Sequence, residues 1–448
     1  MNYILVAVSL IINFIAESSL LPVLIAYIFF LFSTILIYIL GFKRIDEFYF
    51  YTRLFIFYYI VVGLSSLYRN YLNDPQGDGF GFYMMAEQYS HVSLFDMIFI
   101  TEGSLAVYFW GKLITLFKFL EIELNICYLI NLNTIIVAIA GLYTLRITRN
   151  IYGEDVFHYK LLLYMFSCCG LFWLFSSTLH RDCFVLLFVI LLIHFNVVYL
   201  KFRNFKNIIN IIIYTIIFSL LLFALRKEFI YLPSFLFLLS SLILLFSNSI
   251  GLYKKIFLTL MFSFIFMTVC IFAVNDIINV LYNGYENYKV ALLERSSSSS
   301  LGSDLILRQP FYIRFVIGTI YLYIFPLPFW SGLDLPSAYH LFKSLNVLFM
   351  YTVLPLFILG LSNYLFKKNN KNLIIMFLFL TLSFFSFVIC MTSLETRHLG
   401  AFYAPLFILS LNHKIYNKSS RINIFIAVFL FFSLILILHV SWLIFKVL

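Results

Sequence analysis

Charge is what this sequence has least of. Only 11% of its 448 residues are Asp, Glu, Lys or Arg, under half of the roughly 25% usual in a soluble domain. Such a chain cannot cover a core with a hydrated surface. Short motifs of soluble nucleotide or metal enzymes are missing too: there is no Walker loop, no dinucleotide fingerprint and no zinc spacing. Cys127, Cys168, Cys169, Cys183, Cys270 and Cys390 lie in or beside apolar stretches and are expected to pack rather than coordinate. ATP-driven transport by this chain alone is disfavoured, and no nucleic-acid partner is expected. There is no evident internal repeat or soluble domain, and the serine run 296–300 has the composition of a flexible loop.

What is present is apolar length. Hydrophobic residues make up 63% of the chain, with 56 Phe and 32 Tyr, and the mean hydropathy is +1.01. A bilayer core about 30 Å thick takes about 20 such residues per helix. Stretches that meet this description fall near 3–17, 21–41, 54–68, 126–146, 160–177, 183–200, 208–225, 229–247, 256–274, 346–366, 373–391, 400–411 and 422–445. The expected fold is all-α: one polytopic integral membrane domain over 1–448, with about 12–14 spans. The first span lacks the basic region and cleavage site of a signal peptide and is expected to stay. Aromatic belts fit the Phe and Tyr content.

Basic residues set the orientation, because cytoplasmic loops are enriched in Lys and Arg. They recur as Lys43, Arg44 and Arg53; Arg146, Arg149 and Lys160; Lys201, Arg203 and Lys206; Lys254 and Lys255; Lys367, Lys368 and Lys371; and Lys414, Lys418 and Arg421. Only Asp46, Glu47, Glu154 and Asp155 accompany them. With these loops inside, the N-terminus is cytoplasmic. Stretch 311–330 breaks the alternation: as a full span it would put the basic loop 367–372 outside. It is therefore expected to be re-entrant or in-plane, with Pro326 and Pro328 ending its helix. The other reading is an ordinary span with an unusual outer loop.

Chemistry is expected where charge disobeys the rule. Three outer turns carry an arginine at the start of an inward-running span: Leu179-His180-Arg181-Asp182, Leu225-Arg226-Lys227-Glu228 and Glu395-Thr396-Arg397-His398. A cation is unfavourable beside the positive end of a helix dipole. Its recurrence points to an anion, a phosphate or diphosphate held by Arg forks and free N–H groups. Each turn taken singly also fits snorkelling or local ion pairing, Arg181 with Asp182 or Arg226 with Glu228. In the outer loop 69–125, turn-formers around Asp74 and Gly77-Asp78-Gly79 put Asp78 just before a helix at 80–90, as a helix cap or a general base. Segment 103–120 reads as an interfacial helix with Lys112 and Lys118 as its charges. In the outer loop 275–345, stretch 275–310 is a lid or a solvated linker. Arg308 and Arg314 flank the proposed re-entrant segment, within reach of an anion.

With these features, the chain resembles the GT-C superfamily of membrane glycosyltransferases. The stretches SSTLHRDCFVLLFVILL, RKE and ETRHLGAFYAPLF resemble Wzy-type oligosaccharide repeat-unit polymerases, including the EpsG-like group. The resemblance implies a bacterial inner-membrane enzyme with a periplasmic active site, joining O-antigen or capsule units carried on undecaprenyl diphosphate. It implies no cofactor, no metal, and a chain-length regulating co-polymerase as a possible partner. Arg181, Arg226, Lys227, Arg308, Arg314 and Arg397 would stabilise the diphosphate. Asp78, or Asp74, would act as base, with His180, His398 and Glu395 as further proton-transfer or hydrogen-bonding groups. The alternatives are a GT-C transferase using a polyprenyl-monophosphate sugar and a lipid-linked oligosaccharide flippase. Few mid-span charges, among them His194 and His439, argue against the flippase.

Overall fold

The computed structural model describes residues 2–69, 78–99, 104–246, 306, 309–326, 329–333, 338–366, 372–391, 394–412 and 418–447. Among them there is no strand. The helices are α1 (Asn2–Glu17), α2 (Leu21–Ile39), α3 (Ile45–Arg69), α4 (Asp78–Gln88), α5 (Leu94–Phe99), α6 (Leu105–Phe119), α7 (Ile126–Tyr152), α8 (Val156–Cys168) and α9 (Gly170–Ser177). They continue with α10 (Asp182–Phe202), α11 (Phe205–Leu225), α12 (Leu232–Leu245), α13 (Phe311–Ile324), α14 (Ala338–Phe366), α15 (Leu373–Met391), α16 (Thr396–Gly400), α17 (Tyr403–Ser410) and α18 (Lys418–Val447).

Eight of these helices are long and apolar enough to cross a bilayer, and α8 with α9 would make a ninth, bent by 62°. The chain is an all-α polytopic membrane protein. This count is of the described residues, whereas the 12–14 expected are of the whole chain. Helices α1, α12 and α13 are apolar but have only 16, 14 and 14 residues. Stretch 400–411 is divided, α16 ending at Gly400 and α17 starting at Tyr403. Stretch 256–274 lies outside the described residues.

Two compact units partition the chain. The first comprises Met1–Leu191, Leu220–Lys227 and Leu335–Phe342. In it α3 and α7 pack closely where Gly141 faces Leu54 and Phe166, with no room for a Cβ. Small residues serve this purpose in lipid, where close backbone approach replaces the hydrophobic drive. Asn13 of α1 donates to the Tyr59 carbonyl at 2.9 Å, over Gly63.

Charged side chains close both ends of this bundle. At one end Glu47, buried, takes Arg149 at 3.1 Å and Arg146 at 3.4 Å. Arg149 also pairs with Asp46, and Arg44 with Asp46 and Glu154. The Arg146 guanidinium lies 3.4 Å from the centre of the Phe42 ring. Asp46, Glu47 and Glu154 are thus partners of those bases, while Asp155 caps α8 at the Phe157 N–H. At the other end Glu17 accepts from Asn125 at 2.9 Å, Cys127 at 3.0 Å and Ser66 at 3.3 Å.

The second unit comprises Leu192–Ser219, Glu228–Asp334 and Lys343–Leu448. Its α13 lies against the last turns of α15. Arg314, buried, donates to the Cys390 carbonyl at 3.0 and 3.2 Å, and Tyr323 hydrogen-bonds Ser386 at 2.8 Å. The ring of Phe325, just past α13, lies 5.2 Å from the Lys343 ammonium, which pairs with Glu395. Arg314, near the start of α13, thus meets the end of α15, while Ile324 at the other end of α13 packs against Val347, Tyr351 and Ile435.

Glu47→Ala should cost about 2–3 kcal/mol, less than a fully buried pair loses because Arg146 and Arg149 keep some solvent contact. SDS-titrated unfolding of the purified protein measures it. A loss below about 0.5 kcal/mol, typical of an exposed pair, would make the cluster incidental.

Candidate functional site

In the first unit the site begins at the break between α8 and α9. The Tyr58 hydroxyl covers the Phe166 carbonyl at 2.8 Å and the Trp173 indole covers Ser167 at 2.5 Å. Helix α9 then runs only eight residues. Two consecutive buried side chains of α7 hold the carbonyls at its end: Thr134 donates to Ser176 at 3.1 Å and Asn133 to Thr178 at 2.6 Å. The turn that follows carries Leu179, His180 and Arg181, and α10 opens at Asp182. Asn133 lies 13 residues from Arg146 on α7, about 20 Å at 1.5 Å per residue. The turn therefore lies well away from the Glu47 cluster, toward the opposite end of the bundle.

The Arg181 and Arg226 turns come together, and they interlock crosswise. Arg181 donates to the Leu225 carbonyl at 3.4 Å, and Arg226 pairs with Asp182 at 3.3 Å. Local pairing, of Arg226 with Glu228 or of Arg181 with Asp182, is the alternative reading of each turn taken singly; the ion pair of Arg226 with Asp182 runs from one turn to the other. Both partners are largely buried, at 13% and 7% side-chain exposure, so their attraction is little screened. Two guanidinium groups, from the Arg181 and Arg226 turns, thus meet beside the start of α10, with Asp182 between the turns.

Helix α4 closes on this pair. A Cβ on Gly79 would lie 3.6 Å from the Leu179 nitrogen. Phe82 sits 5.9 Å from the Arg181 guanidinium and edge-on to His180 at 6.3 Å. The same ring leans on Trp110 of α6 at 6.0 Å. Asp78, the exposed first residue of α4, thus adjoins the turn. Burial, and then the Glu87 carboxylate, push the Tyr83 phenol up, so it stays a neutral donor. His180 is buried. Lys227 opens a short 3-10 helix, 227–231. Asp74 and Arg308 lie outside the described residues.

Glu395, Arg397 and His398 belong to the second unit. Glu395 precedes α16 and pairs with Lys343 at 2.8 Å. His398 is buried, and its backbone N–H donates to the Glu395 carbonyl at 3.0 Å. Arg314 holds the end of α15, where the sequence pattern suggested an anion ligand. Among the described residues no group of three or more His, Cys, Asp or Glu is placed to hold a metal ion.

Lys343, Asn133, Phe82 and Trp110 join these sites without belonging to the charged turns. Lys343 did carry a signal: it is the only Lys or Arg between Arg314 and Lys367. Asn133 and Thr134 are a polar pair inside an apolar run, which in lipid implies a polar partner.

A double-mutant cycle of Asp182→Asn and Arg226→Gln should give a coupling of about 1–3 kcal/mol in thermal unfolding. Additive losses would mean that the two turns are not energetically joined. No protein-family model matches the chain, no curated protein matches it, and no solved structure matches its fold.

Proposed function

We propose that this chain is a membrane glycosyltransferase of the Wzy type. It would polymerise oligosaccharide repeat units carried on undecaprenyl diphosphate at the periplasmic face of a bacterial inner membrane. The observation that carries the proposal is the crosswise joining of the Arg181 and Arg226 turns beside the start of α4, which brings Asp78 with it.

The chemistry needs three things at one place. The acceptor hydroxyl oxygen attacks the anomeric carbon of the donor glycan, and its proton passes to a base, here the Asp78 carboxylate. The bond from that carbon to the diphosphate oxygen breaks, and the electron pair leaves with the diphosphate. Charge developing on the leaving group calls for fixed cations in a site of low dielectric. Arg181 and Arg226 supply them, and both are restrained before substrate arrives, Arg226 by Asp182 and Arg181 by the Leu225 carbonyl and the Phe82 face. His180 is a hydrogen-bond donor for the same group. In the second unit Arg397 and His398 offer the same chemistry, with Glu395 held by Lys343.

Deletion of the gene should leave surface glycan at one repeat unit without a ladder. Loss of all surface glycan would favour a flippase instead. Arg181→Ala, Arg226→Ala and Arg397→Ala should each abolish long glycan with the protein still in the membrane, and Asp78→Asn should lower turnover more than donor binding. Wild-type chain length in all three arginine variants would overturn the assignment.

Orientation is tested separately. In a cysteine-free background, Arg181→Cys, Arg226→Cys and Arg397→Cys should react with an impermeant thiol reagent added to whole spheroplasts. Lys43→Cys should react only after lysis, and the opposite pattern would invert the topology.

A further inference from the structure

We propose that Asn133 is a positioning residue for the arginine turn, setting Arg181 and the Phe82-bearing helix α4 in one register; the proposal rests on the anion-binding reading of that turn. Asn133 is fully buried in α7, and both ends of its amide are used. The Nδ2 group donates to the Thr178 carbonyl at 2.6 Å, three residues before Arg181. Its Oδ1 accepts from the Trp110 indole of α6 at 3.1 Å. Trp110 is itself fully buried, and its ring meets Phe82 at 6.0 Å and Phe184, two residues into α10, at 5.9 Å. One side chain therefore ties the backbone just ahead of Arg181 to the aromatic group against which α4 lies.

The amide suits this place because it is donor and acceptor at once. A carboxylate in the same volume keeps the bond to the indole and presents a second oxygen to the Thr178 carbonyl. An apolar residue leaves both partners unsatisfied at a depth where water cannot replace it. Thr134, next along α7, holds Ser176 and gives the turn a second anchor, so loss of Asn133 should loosen the turn without unfolding α9.

The test uses the full chain in nanodiscs, with inorganic diphosphate as probe. Asn133→Asp should raise amide exchange in 176–184 about tenfold and leave 403–410 unchanged. It should also weaken diphosphate binding about tenfold, the factor given by about 1.4 kcal/mol. Trp110→Phe, which removes the indole N–H together with part of the ring, should act in the same direction. Exchange that does not change in either variant overturns the proposal. Faster exchange with unaltered diphosphate affinity overturns it too, leaving Asn133 a merely structural group. If Arg181→Ala binds diphosphate as tightly as the parent, or the parent does not bind it, the anion-site reading itself falls, whatever the exchange rates show.

Discussion

A backbone carbonyl that leaves a helix inside lipid has no water to turn to. This chain meets that constraint at its breaks with side-chain donors. Tyr58 and Trp173 cover the break between α8 and α9, and Thr134 and Asn133 hold the end of α9. Arg181 covers the end of α11, Arg314 the end of α15, and Asn412 the Gly360 carbonyl within α14. The helices can then bend, stop and restart where a straight span would not. Those interruptions are also where the charged side chains gather.

Charge follows from the same economy. At the Glu47 end, three arginines and three acids form a linked set that draws the first loops of the bundle together. At the arginine turns Asp182 pairs with Arg226, and Arg181 also meets a carbonyl and an aromatic face. A carbonyl and a ring orient a guanidinium without cancelling its charge. The first arrangement suits structure. The second joins two turns that are distant in sequence.

The second unit repeats the theme with other residues. Lys343 restrains Glu395 and lies over Phe325, so that the start of α14, the end of α13 and the approach to α16 meet around one ion pair. Arg314 donates to the Cys390 carbonyl at the end of α15. A guanidinium beside the end of a helix satisfies carbonyls there and complements the negative end of the dipole. Such a cation looks the same in sequence as an anion ligand.

Hydropathy alone determined that the chain is helical and polytopic, because a bilayer imposes a length and an apolar content visible in any window of the sequence. The arginine turns were legible too, since each combines a charge with the start of an apolar run. Where helices break was not legible: at the bend by Cys169 the Phe166 carbonyl is covered by Tyr58, 108 positions away. Nor did the sequence show that Asp182 answers Arg226 rather than Arg181, or that Asn133 serves two elements at once. Those pairings join residues 44 and 45 positions apart. Only the packing of α7, α9, α10 and α11 brings them within hydrogen-bond distance, since local periodicity states which face is apolar and not which partner meets it.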